Sequence, residues 1–183
     1  MEVIKTDLKD VFILKPKVFG DDRGYFFEPY NQKTFEKRFS NIQFVQDNES
    51  MSSRGVLRGL HFQKPPFDQT KLVRCIQGEV IDVAVDLRKN SPTYGKHVEV
   101  LLTGENKRQL FIPRGFAHGF AVLSEQAIFA YKVDNWYAPE YDSGINWNDV
   151  DLNIDWRLNP EEVKLSNKDK DLTSFKDFIT PFI

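Results

Sequence analysis

Two short segments concentrate the residue types that can move protons. In Arg58-Gly59-Leu60-His61-Phe62-Gln63 a guanidinium, a glycine and an imidazole fall within four residues. A histidine titrates near neutrality and can act as a general base, while an arginine fork matches phosphate geometry. Residues three apart in a regular strand face opposite ways. Arg58 and His61 can share a face only if the strand breaks or bulges, and Gly59 is the place for it. Otherwise the segment holds a core or surface histidine beside an unrelated arginine. The second segment is Pro113-Arg114-Gly115-Phe116-Ala117-His118-Gly119-Phe120. Its proline and first glycine mark a tight turn that feeds His118 into a following strand.

The elements that must carry these groups read as strands. Candidates are Val11–Leu14, Gly24–Glu28, Gln43–Asp47, Val56–Phe62, Lys71–Gln77, Glu79–Asp86, His97–Leu102, Arg108–Ile112, Ala117–Leu123, Ala127–Val133 and Gly144–Trp147. They are short, rich in Val, Ile, Phe and Tyr, and bounded by Gly, Pro, Asn or Asp. One helix is predicted near Gln32–Phe39, and a mostly helical tail after Ser166. So many short strands with so little helix point to a sandwich or barrel in one domain spanning residues 1–183. Along Glu79–Leu87, Ile81, Val83, Val85 and Leu87 share one face; Val80, Asp82, Ala84 and Asp86 share the other. Asp82 therefore points either into a polar interior suited to a ligand or out to solvent from an edge strand.

Composition narrows the class. The 183 residues are 40% hydrophobic and 28% charged, with a net charge of −2. A general nucleic-acid or membrane-surface binder would carry a basic excess. No run is apolar and long enough to span a bilayer as a helix, and the N-terminal residues lack a signal-peptide core. The one cysteine, Cys75, reads as a small buried hydrophobe. A cytoplasmic setting is the expectation.

The run P-x-G-x-x-H ending at His118 resembles the second sequence motif of the cupin barrels. The first motif can be aligned on His61-Phe62-Gln63 and, later, Lys71 followed after six residues by Gly78. Cupin metal sites need neutral imidazoles and a carboxylate. Here Gln63 stands for the second histidine and Lys71 for the acid. An ammonium repels a divalent cation and attracts an oxyanion, so no metal is expected.

A more specific resemblance covers nearly the whole chain, to about Asp169. Gly20–Glu28, Val45-Gln46-Asp47-Asn48, Gly55–Gln63, Lys71-Leu72-Val73-Arg74 and Pro113–Phe120 resemble the dTDP-4-dehydrorhamnose 3,5-epimerases, as do Tyr131-Lys132, Asn135-Trp136-Tyr137 and Leu165–Asp169. The resemblance implies an all-β, cupin-type jelly-roll barrel with short flanking helices. It implies an isomerase that inverts carbons 3 and 5 of dTDP-4-dehydro-6-deoxy-D-glucose to give dTDP-4-dehydro-L-rhamnose, without a cofactor. His61 looks like the general base with Asp169 as its partner, Lys71 like the group facing the keto oxygen, and Tyr131 like the acid on the opposite face. Arg23, Glu28, Gln46, Asp47, Asn48, Arg58, His118, Asp142 and Lys168 match nucleotide-sugar contacts, and Tyr137 the aromatic that stacks on thymine. Asp142 and Trp136 depart from a family pattern of Glu and Tyr. A homodimer is implied, with the Arg23–Glu28 segment reaching into the partner's site.

The chemistry is consistent with those roles. A proton beside a ketone is acidic because the charge passes to oxygen as an enolate, so a base is needed at carbon and a cation at oxygen. A carboxylate on the far nitrogen of the histidine fixes its tautomer. Each residue also has a plainer use. Ser166-Asn167-Lys168-Asp169 fits a capping box, in which Asp169 reaches back to a backbone N–H. Tyr131 shares a face with Phe129 and Val133 and could be core; Lys71 could be solvated; Arg23, Trp136 and Tyr137 could be turn residues. Rival functions are a single-carbon epimerase, a non-catalytic sugar-binding cupin, and a metal-dependent oxygenase or isomerase, which Gln63 and Lys71 disfavour.

Overall fold

A computed structural model describes residues 1–183. Thirteen strands run in the order β1 (Glu2–Lys5), β2 (Phe12–Lys15), β3 (Phe19–Asp21), β4 (Gly24–Phe26), β5 (Gln46–Ser53), β6 (Leu57–Gln63), β7 (Lys71–Gln77), β8 (Glu79–Asp86), β9 (His97–Thr103), β10 (Gln109–Ile112), β11 (Phe116–Val122), β12 (Gln126–Val133) and β13 (Asp142–Gly144). Two one-turn helices flank them, α1 (Gln32–Phe35) after β4 and α2 (Asn167–Lys170) after β13. A six-stranded sheet has the order β1-β2-β10-β7-β12-β5, a five-stranded sheet the order β13-β6-β11-β8-β9, and β3-β4 form a separate hairpin. The fold is all-β in the jelly-roll manner, with short flanking helices as expected. The strand-pairing ladders stay within each sheet, and every pairing of named strands is antiparallel.

Three layers of apolar packing hold this together. Val73, Val80, Ala84, Leu102, Leu110, Phe120 and Phe129 fill the space between the sheets. Leu57, Leu60, Ile81, Val83 and Val85 face the other way, under a cover formed by the C-terminal third of the chain, including Trp156 and Phe182. Phe35 and Phe39 cap the outside of the six-stranded sheet over Leu14, Leu72 and Phe111. Both faces of β8 are thus buried, which is why its sequence is a nearly continuous apolar run. The strand lies between β11 and β9, and Asp82 is fully buried on the inner face. The solvent-facing alternative for Asp82 is overturned.

Strands β7 and β8 have the bounds read from sequence, joined by Gly78 at φ 79°. A Cβ at Gly78 would lie 2.1 Å from the Gln126 carbonyl oxygen, so only glycine fits the turn. Other readings need correction. The strand expected at Gln43–Asp47 begins at Gln46 and runs on to Ser53. That expected at Gly144–Trp147 ends at Gly144. The helix expected over Gln32–Phe39 stops at Phe35, and the tail after Ser166 is helical only over Asn167–Lys170. Strands β1 and β3 had no counterpart in the reading. Cys75 is buried as expected; burial pushes its thiol up to about 11, which leaves it unreactive near neutrality.

Candidate active site

Strand β6 carries the irregularity that its sequence required. Against β11, His61 pairs with His118 and Arg58 with Phe120, so two residues of β6, Gly59 and Leu60, oppose the single Gly119. This bulge resets the alternation. Leu57, Leu60 and Phe62 pack behind the sheet, while Arg58 and His61 both line the cavity between the sheets. A side chain at Gly59 would meet the Gly119 Cα at 2.5 Å.

The cavity encloses about 770 Å³. Arg58, His61 and His118 enter it from the five-stranded sheet; Lys71, Tyr131 and Asn48 enter from the six-stranded sheet, while Asp47 borders it with its carboxylate turned to Lys132; Asp169 closes one side. Tyr131 pairs with Val73 in the β12–β7 ladder, which sets Lys71 on the diagonal. The Lys71 ammonium lies 6.0 Å from the centre of the Tyr131 ring.

Asp169 comes from α2, whose N-cap is Ser166. The Asp169 amide donates to Ser166 Oγ at 3.2 Å, so the serine caps the helix. The Asp169 carboxylate does not reach back to the backbone. Its Oδ1 meets His61 Nε2 in a short hydrogen bond, and its Oδ2 accepts from the Ser166 hydroxyl at 2.7 Å. Burial works to raise Asp169, but the bonds from His61 and Ser166 outweigh it and hold the carboxyl below its ordinary value. With Nε2–H committed to Asp169, Nδ1 is the ring nitrogen left to accept a proton.

Burial pulls the Lys71 ammonium down to about 8, against the opposing pull of Asp142 and Asp82. Burial also raises Tyr131, partly offset by Arg58, so the phenol keeps its proton at neutral pH. His118 Nε2 lies 2.9 Å from Asp82 Oδ2, and both groups are buried. Sequence reasoning gave Asp82 no partner. A lone carboxylate inside Val-Ile-Asp-Val-Ala-Val was the available signal, since a buried charge must be paired. Ser166 and Ser52 were also missed; Ser52 Oγ accepts from Arg58 at 3.2 and 3.3 Å.

Of the remaining candidates, Gln46 donates to Asn48 Oδ1 at 2.8 Å beside the cavity. Tyr137, Asp142 and Lys168 gather into one cluster. Lys168 forms an ion pair with Asp142, and the Tyr137 hydroxyl donates to the same carboxylate at 3.3 Å. Tyr137 and Trp136 stand 57% and 60% exposed, which leaves a flat ring face free for stacking. Arg23 and Glu28 do not join the cavity. Arg23, in the β3–β4 hairpin, pairs with Asp21, and Glu28 accepts from Asn31 at 3.2 Å. Gln63, where a cupin would carry a metal-binding histidine, instead clips loops together: its amide donates to the Phe67 and Trp136 carbonyls and accepts from the Ala138 amide.

The arrangement puts an imidazole with its carboxylate on one wall and a phenol with an ammonium on the facing wall. The sequence model described as dTDP-4-dehydrorhamnose 3,5-epimerase matches residues 5–177. The enzyme of that name from Shigella flexneri is 56% identical over 178 residues, 97% of each chain. The Elizabethkingia anophelis enzyme superposes with a TM-score of 0.92 at 54% identity, covering 97% of each chain. The dTDP-6-deoxy-D-glucose-3,5-epimerase of Legionella pneumophila, solved in complex with dTDP-4-keto-L-rhamnose, gives 0.95 at 47% identity, covering 100% of this chain and 98% of its own. With a cupin-type fold and similarity along almost its full length, this chain belongs to the dTDP-4-dehydrorhamnose 3,5-epimerase family.

Proposed function

We propose that this protein inverts carbons 3 and 5 of dTDP-4-dehydro-6-deoxy-D-glucose to give dTDP-4-dehydro-L-rhamnose. The observation that carries the mechanism is the opposition of His61 and Tyr131 across one cavity, from different sheets. Inversion needs a proton removed from one face of a carbon and another delivered to the opposite face. His61 Nδ1 takes the proton, and Asp169 stabilises the imidazolium. Lys71 meets the negative charge as it moves to the keto oxygen; a donor at that place contributes about 3–4 kcal/mol in other enzymes. Tyr131 protonates the enolate from the far side.

Arg58 and His118 hold the diphosphate and sugar, with Gln46, Asp47 and Asn48 at the edge of the cavity. Tyr137 stacks on thymine beside Asp142 and Lys168. We read residues 1–183 as one domain and the working form as a cytoplasmic homodimer, in which Arg23 and Glu28 serve the partner's site. Tyr25 and Phe26 of that segment, 60% and 66% exposed, and the open edge of β5 support this. No cofactor or metal takes part in the mechanism, since Lys71 supplies the charge at oxygen. Incubation with the substrate in D₂O, followed by NMR, tests the reading. Deuterium at both carbons with L-configured product is expected; deuterium at one carbon alone would make the enzyme a single-carbon epimerase.

A further inference from the structure

We propose that the C-terminal strap from Leu172 to Phe182 is the positioning element of the His61–Asp169 pair. The inference rests on the reading of His61 as base given above. Helix α2 is a single turn, and a helix that short has no stability of its own. Asp169 within it is nonetheless 3% exposed and meets His61, which belongs to a distant strand. The turn is tied upstream, where Lys164 exchanges backbone hydrogen bonds with Gly55 and Leu57, at its side by the Lys168–Asp142 ion pair, and downstream by the chain that follows.

Leu172 packs on Gly144, at the end of β13, so closely that a Cβ there would lie 2.8 Å from its Cδ1. The Thr173 carbonyl accepts from the Asn146 amide at 2.8 Å. The Phe175 amide donates to the buried Asp149 carboxylate at 2.7 Å. Phe178 and Phe182 then close edge-on onto Phe62, with ring centres at 5.5 and 5.6 Å. The Phe182 carbonyl accepts from the Lys89 amide at 2.9 Å.

Phe62 is the neighbour of His61 and points to the opposite side of β6. The strap therefore starts at the carboxylate on the cavity side and ends on the back of the strand that carries the imidazole. Both halves of the pair are referenced to one short stretch of β6. Loss of the anchor leaves each half intact and lets their alignment drift, and a misplacement of about 1 Å costs on the order of 10²-fold in rate.

A double-mutant cycle of Phe182→Ala and Asp169→Asn tests this, with kcat from product formation and dTDP affinity from calorimetry. Phe182→Ala is expected to lower kcat about 10–100-fold with dTDP affinity unchanged. Phe182→Leu is expected to recover most of it. In the Asp169→Asn background Phe182→Ala should add no further loss, because the alignment it protects is already gone. Additive losses, or wild-type kcat in folded Phe182→Ala, would overturn the proposal. If thermal melting shows that Phe182→Ala is unfolded, Phe178→Ala, at a half-buried anchor, runs the same cycle. Wild-type kcat in Asp169→Asn alone would instead remove the base-pair reading, and the strap's role with it.

Discussion

His61 and His118 are direct cross-strand partners in the β6–β11 ladder, and each holds its own carboxylate, Asp169 and Asp82 respectively. The two pairs differ in access. His61 is part-exposed to the cavity, while His118 and Asp82 are almost wholly buried. The proposed mechanism gives the proton-abstracting role to the accessible pair. His61→Ala is expected to lower both inversion and deuterium exchange by about 10²–10⁴-fold. Exchange at the wild-type rate, followed by NMR in D₂O, would move the base to His118.

Under the proposed mechanism Lys71 is expected to set the alkaline limit of activity. Its pKa is depressed, so the ammonium is charged below about 8 and neutral above. The charge proposed to stabilise the enolate is present at neutral pH and lost as pH rises through that value. We expect kcat/KM to fall about tenfold per pH unit beyond the limb. Lys71→Met should be slow with that limb absent. A pH–rate profile in which the variant keeps the limb would assign it to another group.

Tyr131→Phe should separate exchange from inversion. His61 and Lys71 remain to form the enolate, which then recovers a proton from His61 on the original face. Recovered substrate should carry deuterium at carbon 3 or 5, with little L-configured product by NMR. A folded variant that forms product at the normal rate would make Tyr131 a packing residue; one that neither exchanges nor inverts would place it in the deprotonation step.

Arg58→Ala should weaken substrate binding about 10–100-fold, as expected for charged hydrogen bonds to a diphosphate. The side chain is exposed to the cavity, and its one hydrogen-bonding partner is Ser52, so thermal stability should change little. Unchanged affinity by calorimetry would show that Arg58 is misassigned.

The legible parts of this fold were those where one physical signal dominated. Strands β7 and β8 have dense β-branched runs and a glycine turn between them. Strand β5 is hard to read from sequence because Asn48–Ser53 is polar except for Met51, with one face lining the cavity and the other exposed. The tail after Ser166 reads as helix, but its aromatics divide between two anchors instead of forming one stripe: Phe178 and Phe182 pack on Phe62, and Phe175 on Tyr94. His61 and Lys71 stand out in their motifs and Tyr131 only through the family resemblance; all three line one cavity. Asp82 was ambiguous because alternation gives which residues share a face, and leaves open which face is inside. The Arg23–Glu28 segment lies beyond what one chain's pattern can locate, since it does not reach the cavity of its own chain.

The extra residue at Gly59–Leu60 also limits how this protein can be improved. Pairing β6 with β11 residue for residue, with Gly59 and Leu60 both kept, would complete the ladder. Every residue before Gly59 would then slip by one place and turn over, sending Arg58 into the packing behind the sheet and Leu57 into the cavity. A better-made sheet and a working enzyme are opposed at this one place, so redesign for thermal tolerance has to leave the flaw untouched.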